Sequence, residues 1–325
     1  MTLPRQQFLH LALGAAALSI VCIFGQGAWS QTTRTLKIID PGAPGGSTDF
    51  LIRLLGQQIG RAQGTTTVIE NRPGAGSVIA TEAVSRAAPD GSTLLLTQPS
   101  FLTNPLLRKQ NYHPLTSFEP ICYLVSLPLV VAVNSASPYR TVADLLDAAR
   151  AKPGDLTMAG IPGSALQIVF EMLKRAANVD MTFIPYSGSA PQVSALLGEH
   201  VTAVVVPYAV LADHLKSGRL RALATSARMR IETLPEIPTL AESGYKEFEV
   251  DLWTGLVAPA KTPKETVFQL ARLFTAAMQV PEVKAKLVIQ GQFPVGLCGA
   301  DFAAFLRKQY EEFGRVIREA HIKAE

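Results

Sequence analysis

The chain has 325 residues, with 30 Lys+Arg against 26 Asp+Glu for a formal charge of +4, 48% hydrophobic residues, 24 Gly and 22 Pro. That length suits about two domains, and the apolar share is enough for buried cores, which excludes a wholly disordered chain. The basic excess is thinly spread, so nucleic acid is not an expected partner; three cysteines without a C-x-x-C pair exclude a disulfide scaffold and a clustered zinc site, and no metal or cofactor is expected.

Residues 8–24 are almost wholly apolar; Arg5 precedes them and the small-residue site Ala28-Trp29-Ser30 follows. A basic start, an apolar stretch and a small-x-small exit make a secretory signal over residues 1–30, with cleavage expected after Ser30. A membrane anchor is the alternative, because the stretch nearly spans a bilayer. Cleavage is favoured, since no basic stop-transfer cluster follows. The mature chain is then expected in the periplasm, with no further apolar stretch of about 18 residues. Cys122 and Cys298 would be its only cysteines. They are expected as two separate buried thiols, with pairing in an oxidising compartment as the alternative.

Beyond the leader, residues 36–39 form a β-prone run, followed by a Pro/Gly-rich turn to Asp49 and a helical spacing of Phe50, Leu51, Leu54, Leu55 and Ile59. The unit repeats as a strand at 66–70, a turn at 71–77 and a helix at 78–88; residues 93–97 make the next strand. Residues 128–134 are continuously apolar, as in a strand buried on both faces. Thr141 caps a helix to Arg150. Strands at 156–159, 181–185, 201–206 and 220–225 then alternate with helices at 165–177, 190–197 and 209–217, and two further helices are expected at 264–278 and 301–320. Such alternation implies parallel α/β sheets.

The pattern predicts two α/β lobes, one of residues 31–128 plus about 226–325 and the other of residues 129–225. Crossings near Leu129 and Ser226 form a hinge, with a ligand cleft between the lobes. Four turns share one design: Gly45-Gly46-Ser47-Thr48, Gly74-Ala75-Gly76-Ser77, Gly163-Ser164 and Ser187-Gly188-Ser189. Each ends a strand and starts a helix, where backbone N–H groups lack intrahelical partners and the helix dipole is positive. Glycine admits close backbone approach and hydroxyls add donors. Two such turns from each lobe, facing one another, would hold a small anion without Arg or Lys. Taken singly, each turn would serve only as a helix cap.

Further motifs occur in order: Pro44-Gly45-Gly46-Ser47-Thr48-Asp49, Glu70-Asn71-Arg72-Pro73-Gly74-Ala75-Gly76, Ala88-Pro89-Asp90-Gly91, Pro185-Tyr186-Ser187-Gly188-Ser189-Ala190-Pro191, residues 218–224, Trp253-Thr254-Gly255-Leu256 and Ala258-Pro259. Together they resemble the Bug, or TctC-type, solute-binding proteins of tripartite tricarboxylate transporters over nearly all of the mature chain. The resemblance implies a type II periplasmic-binding-protein fold that closes on a small carboxylate or related solute and delivers it to membrane permease subunits. A monomer is expected. The implied ligand contacts are Gly45, Gly46, Ser47, Thr48, Gly76 and Ser77 from one lobe, and Gly163, Ser164, Ala165, Tyr186, Ser187, Gly188 and Val206 from the other. Trp253 is placed near the cleft by the same resemblance, with core or hinge packing as the alternative. Asp49 is expected to brace its helix rather than touch an anion, because like charges repel.

The chain departs from the family pattern at several positions. Gly42 stands where a bulky residue is usual, Leu166 and Gln167 where Ser/Thr and His are common, and Val206-Pro207 where Asp-Asn is frequent. The lost carboxylate removes a partner for an amino group and predicts a simple or partly apolar carboxylate as ligand. No nucleophile elbow, Walker loop, dinucleotide fingerprint or His-Glu-x-x-His is present, so no catalysis is expected. The alternatives are an orphan periplasmic sensor or, more remotely, a hydrolase using Ser47 or Ser164.

Overall fold

The computed structural model describes residues 35–323 apart from 247 and 249; the leader assigned to residues 1–30, with its cleavage after Ser30, lies outside them. Strand β1 (Thr35–Asp40) is buried from Leu36 on except at Lys37. Helix α1 (Ser47–Gln63) buries Leu51, Ile52, Leu55 and Ile59, whose three- and four-residue spacing forms one apolar stripe. It ends where Gly64 turns left-handed and returns its N–H to the Gly60 carbonyl. Then follow β2 (Thr66–Asn71), a 3-10 turn (Ala75–Ser77), α2 (Val78–Ser85), β3 (Thr93–Thr97) and α3 (Ser100–Leu107). Strands β1, β2 and β3 pair in parallel.

Strand β4 (Phe118–Leu127) runs straight into β5 (Leu129–Asn134), which belongs to a different sheet. Thr141 and Asp144 close a capping box at the start of α4 (Val142–Ala151). Next come β6 (Thr157–Gly160), α5 (Ala165–Ala177), β7 (Thr182–Pro185), α6 (Ser189–Leu197), β8 (Ala203–Pro207), α7 (Tyr208–Lys216) and β9 (Leu220–Thr225). The return contributes β10 (Leu252–Pro259), α8 (Lys264–Gln279), α9 (Pro281–Ile289), β11 (Phe293–Cys298) and α10 (Ala300–Glu319). The sheet orders are β11-β4-β10-β3-β1-β2 and β7-β6-β8-β5-β9, one per lobe.

Two expectations are corrected here. The sheets are mixed rather than parallel: β10 is antiparallel to β3 and β4, β11 to β4, and β5 to β8 and β9. The cause is that the chain changes lobe at the ends of strands instead of crossing back over a helix. Beyond Ser226 the chain returns once more to β9. Thr225 donates its N–H to the Pro238 carbonyl at 2.9 Å and accepts from Leu240 N–H at 2.8 Å, so this stretch runs beside β9 before the chain enters β10. Finally, Cys122 and Cys298 are joined as a disulfide. They are register partners on neighbouring strands, with Cα atoms 4.0 Å apart, so antiparallel pairing brings together two thiols that sequence distance separates.

Helix α10 belongs to both lobes. Phe302 sets its ring edge-on against Trp253 at 6.1 Å, and Phe313, Ile317 and, just past the helix, Ile322 lie in the same buried cluster as Leu166, Val169 and Leu173 of α5. Glu319 pairs with Arg175 of α5 at the far end.

Candidate functional site

Strand register fixes which edges of the two sheets meet. In the first lobe Asp40 lies opposite Asn71, Thr97 opposite Gly255, Leu127 opposite Leu252 and Phe293 opposite Ser126, so the turns after β1, β2 and β3 share an edge with the crossing at residues 127–129. In the second lobe Gly160 pairs with Pro185, Leu129 with Pro207 and Val130 with Thr225. The turns after β6, β7 and β8 therefore lie on the edge that carries the same crossing. Open α/β sheets bind ligands at the carboxyl ends of parallel strands, and here both such ends flank one hinge.

The turns use many of their own amides. Gly45 donates its N–H to Asp49 Oδ2 at 3.0 Å, Gly46 to the Ala43 carbonyl at 3.0 Å, Ser77 to Gly74 at 3.0 Å, Gly163 to Gln167 Oε1 at 2.8 Å and Ser164 to Ile161 at 3.3 Å. These five amides are therefore already occupied within their own turns. No side chain caps α1, α2, α6 or α7, whose preceding residues are Gly46, Ser77, Gly188 and Pro207. The first intrahelical bond of α1, from Phe50 N–H to the Gly46 carbonyl, leaves the amides of Ser47 and Thr48 ahead of it.

A buried network holds the first turn in place. Asp40 accepts from Gly42 N–H at 2.8 Å, Thr48 Oγ1 at 3.2 Å and Asn71 Nδ2 at 3.1 Å. Burial pushes its carboxyl up, against the pull of the Gly42 and Thr48 hydrogen bonds. Asp49 is held down to about 2 by its hydrogen bond with Arg53, with the Gly45 N–H adding to the effect. It braces the turn as expected, and Arg53 also reaches Asn71 Oδ1 at 3.1 Å. The second turn holds two non-glycine residues, Ala75 (φ 46) and Ser77 (φ 85), in the left-handed region, a strain found where structure over-determines a local shape.

Of the remaining candidates, Gly45, Gly76, Ser47 and Ser187 are exposed, and Gly46, Ser77, Gly163, Ser164, Ala165, Tyr186 and Gly188 are half-buried. Thr48 is buried, with its hydroxyl on Asp40. Ser77 Oγ lies 3.0 Å from Ser100 Oγ, and Ser164 Oγ donates to Ile161 at 2.6 Å. Two candidates sit too deep to touch a ligand in this conformation. Val206 is 0% exposed, inside β8 and opposite Val130. Trp253 is 1% exposed, packed among Tyr123, Phe302 and Phe305, and its indole N–H donates to Gln309 Oε1 at 3.0 Å.

Two glutamines escaped sequence reasoning. Gln292, just before β11, donates Nε2 to the Ser47 carbonyl at 2.8 Å, while its Oε1 is buried without a partner among the described residues. The adjacent Gly291 abuts the second lobe: a Cβ placed there would lie 3.1 Å from Ala209 Cβ and 3.3 Å from Tyr208 Cδ1. Gln192, in the first turn of α6, is fully buried with both amide atoms unpartnered among the described residues. Buried amides without partners are costly, but burial is not written in a glutamine codon, so no local signal marked them. Among the described residues no three His, Cys, Asp or Glu side chains gather as a metal site would require.

Comparison with known proteins identifies the family. The family profile described as tripartite tricarboxylate transporter family receptor matches residues 51–322. Protein BugT of Bordetella pertussis is 32% identical over 294 residues, covering 89% of this chain and 90% of BugT. A Rhodopseudomonas palustris protein solved with adipate superposes with a TM-score of 0.73 at 29% identity, over 90% of this chain and 99% of that one. MatC of the same organism, solved with malate, gives a TM-score of 0.67 at 27% identity, over 87% and 99%. A profile over residues 51–322 and relatives aligned nearly end to end lead to one conclusion: the chain belongs to the tripartite tricarboxylate transporter receptor family of periplasmic solute-binding proteins.

Proposed function

We propose that this chain is exported with removal of its leader after Ser30, and that as a monomer it captures a small organic carboxylate between its lobes and delivers it to the membrane subunits of a tripartite transporter. The moving bodies are the two sheets with their attached helices, hinged at residues 127–129 and 250–252. The observation that carries the reading is the convergence of helix starts without side-chain caps on edges that share a crossing, α1 from one lobe and α6 from the other; at α2 and α7 the first amide is already taken, Val78 by the Ala75 carbonyl and Tyr208 by the Pro128 carbonyl. Such starts bind carboxylates through N–H groups and the helix dipole. The adipate and malate held by relatives support the ligand class. With Val206 and Pro207 closing β8, no carboxylate stands there to receive an amino group, which favours a plain acid over an amino acid.

A thermal-shift series with adipate, malate, succinate and aspartate tests this. A true ligand at a hundredfold its dissociation constant adds about 2.7 kcal/mol to folding stability. The expected result is a rise in Tm with at least one plain diacid and a smaller rise with aspartate. No shift with any acid overturns the receptor reading; aspartate far above succinate overturns the ligand preference alone.

A further inference from the structure

The two crossings between lobes are fastened by one side chain. Asp251 precedes β10, on the segment that returns from the second lobe. Ser126, near the end of β4 in the first lobe, donates its hydroxyl to Asp251 Oδ2 at 2.5 Å. Ser226, just beyond β9 in the second lobe, donates its hydroxyl to Asp251 Oδ1 at 2.5 Å. Ser226 is tied in turn to the outgoing crossing: Leu129 N–H donates to Ser226 Oγ at 3.0 Å, and Ser226 N–H donates to the Leu129 carbonyl at 2.9 Å. Ser126 and Ser226 are both buried. Each carboxylate oxygen is thus held by a different lobe, at the axis about which the lobes turn.

We infer that Asp251 is a positioning residue that sets the resting angle between the lobes, and through it the fraction of molecules ready to bind. Hydroxyl-to-carboxylate bonds of this length are short and strongly directional. Rotation of one lobe against the other must lengthen or bend at least one of them, so the pair has one preferred geometry. Apparent affinity scales with the populated fraction of the binding-competent state, so a residue at the hinge can tune uptake without touching the ligand. Trp253, two residues on, packs against Tyr123 beside this junction. The inference rests on the two-lobed receptor reading but on no particular ligand.

The test uses ligand-free protein, so a failure to find the natural solute does not affect it. Spin labels at the exposed positions Gln57 of α1 and Ser194 of α6 report the interlobe distance by double electron–electron resonance, beside Tm by circular dichroism. Wild type is expected to give one narrow distance population. Asp251→Ala is expected to broaden it and shift it, with Asp251→Asn intermediate, because an amide accepts one hydroxyl and donates to the other oxygen. Ser126→Ala and Ser226→Ala each cut one arm and are expected to broaden the distribution separately; they carry the same test should Asp251→Ala fail to fold. A lowered Tm with unchanged distances in these variants overturns the inference and leaves Asp251 a structural residue.

Discussion

Asp49 shows how one side chain in the first turn of a helix shapes the loop before it. Its Oδ2 takes both the Gly45 N–H and the Arg53 guanidinium, which also reaches Oδ1, and its carboxyl is held down to about 2. A carboxylate with a depressed folded value stabilises fully above its unfolded value near 4 and loses that contribution as pH falls through about 2. Asp40, pushed up by burial, acts in the opposite sense and favours the folded chain more in acid. Asp49→Asn is therefore expected to lower stability at pH 7 by about 1 kcal/mol, a modest figure because Arg53 is half exposed. It should also remove a step of acid destabilisation between about pH 4 and 2, as read by urea unfolding across that range. The bracing role of Asp49 was legible in the sequence, since an acid in a helix's first turn has an obvious electrostatic use. The depth of Val206, Trp253, Gln192 and Gln292 was not, because burial is set by which strand lies alongside.

Among the elements, the repeated strand–turn–helix units around β1 to β3 and β6 to β9 were legible because turn chemistry and apolar runs alternate there without ambiguity. Strands β4, β10 and β11 and helices α3 and α9 were not. Pro105 sits inside α3, and Pro120, Pro259 and Pro294 lie in the three antiparallel strands; each blurs a propensity that tertiary pairing then overrides. The disulfide follows from the same hidden pairing. It ties edge strand β11, which leads back to Gln292 and so to the start of α1, onto β4. The bridge spans a sequence separation of 176. Cys122→Ser with Cys298→Ser is expected to cost about 2–4 kcal/mol, measured by denaturant unfolding, and to add little when the wild type is already reduced.

At the scale of the whole molecule, α10 packs on both lobes, through Phe302 against Trp253 near its start and through Ile317 and the Glu319–Arg175 pair near its end, with Ile322 just beyond it. Truncation after Glu319 removes Ile322, which is 8% exposed. It is expected to lower stability by about 2 kcal/mol, read by thermal unfolding monitored at the second lobe. The crossing of β4 into β5 has a further consequence for how the chain is made. The neighbours of β4 are β10 and β11, which emerge only after the whole second sheet. During synthesis or export, the half begun first must therefore wait for its last partners while the inserted half completes itself. Such delayed closure over a long intervening stretch slows folding and leaves the apolar edges of β4 uncovered until β10 and β11 arrive.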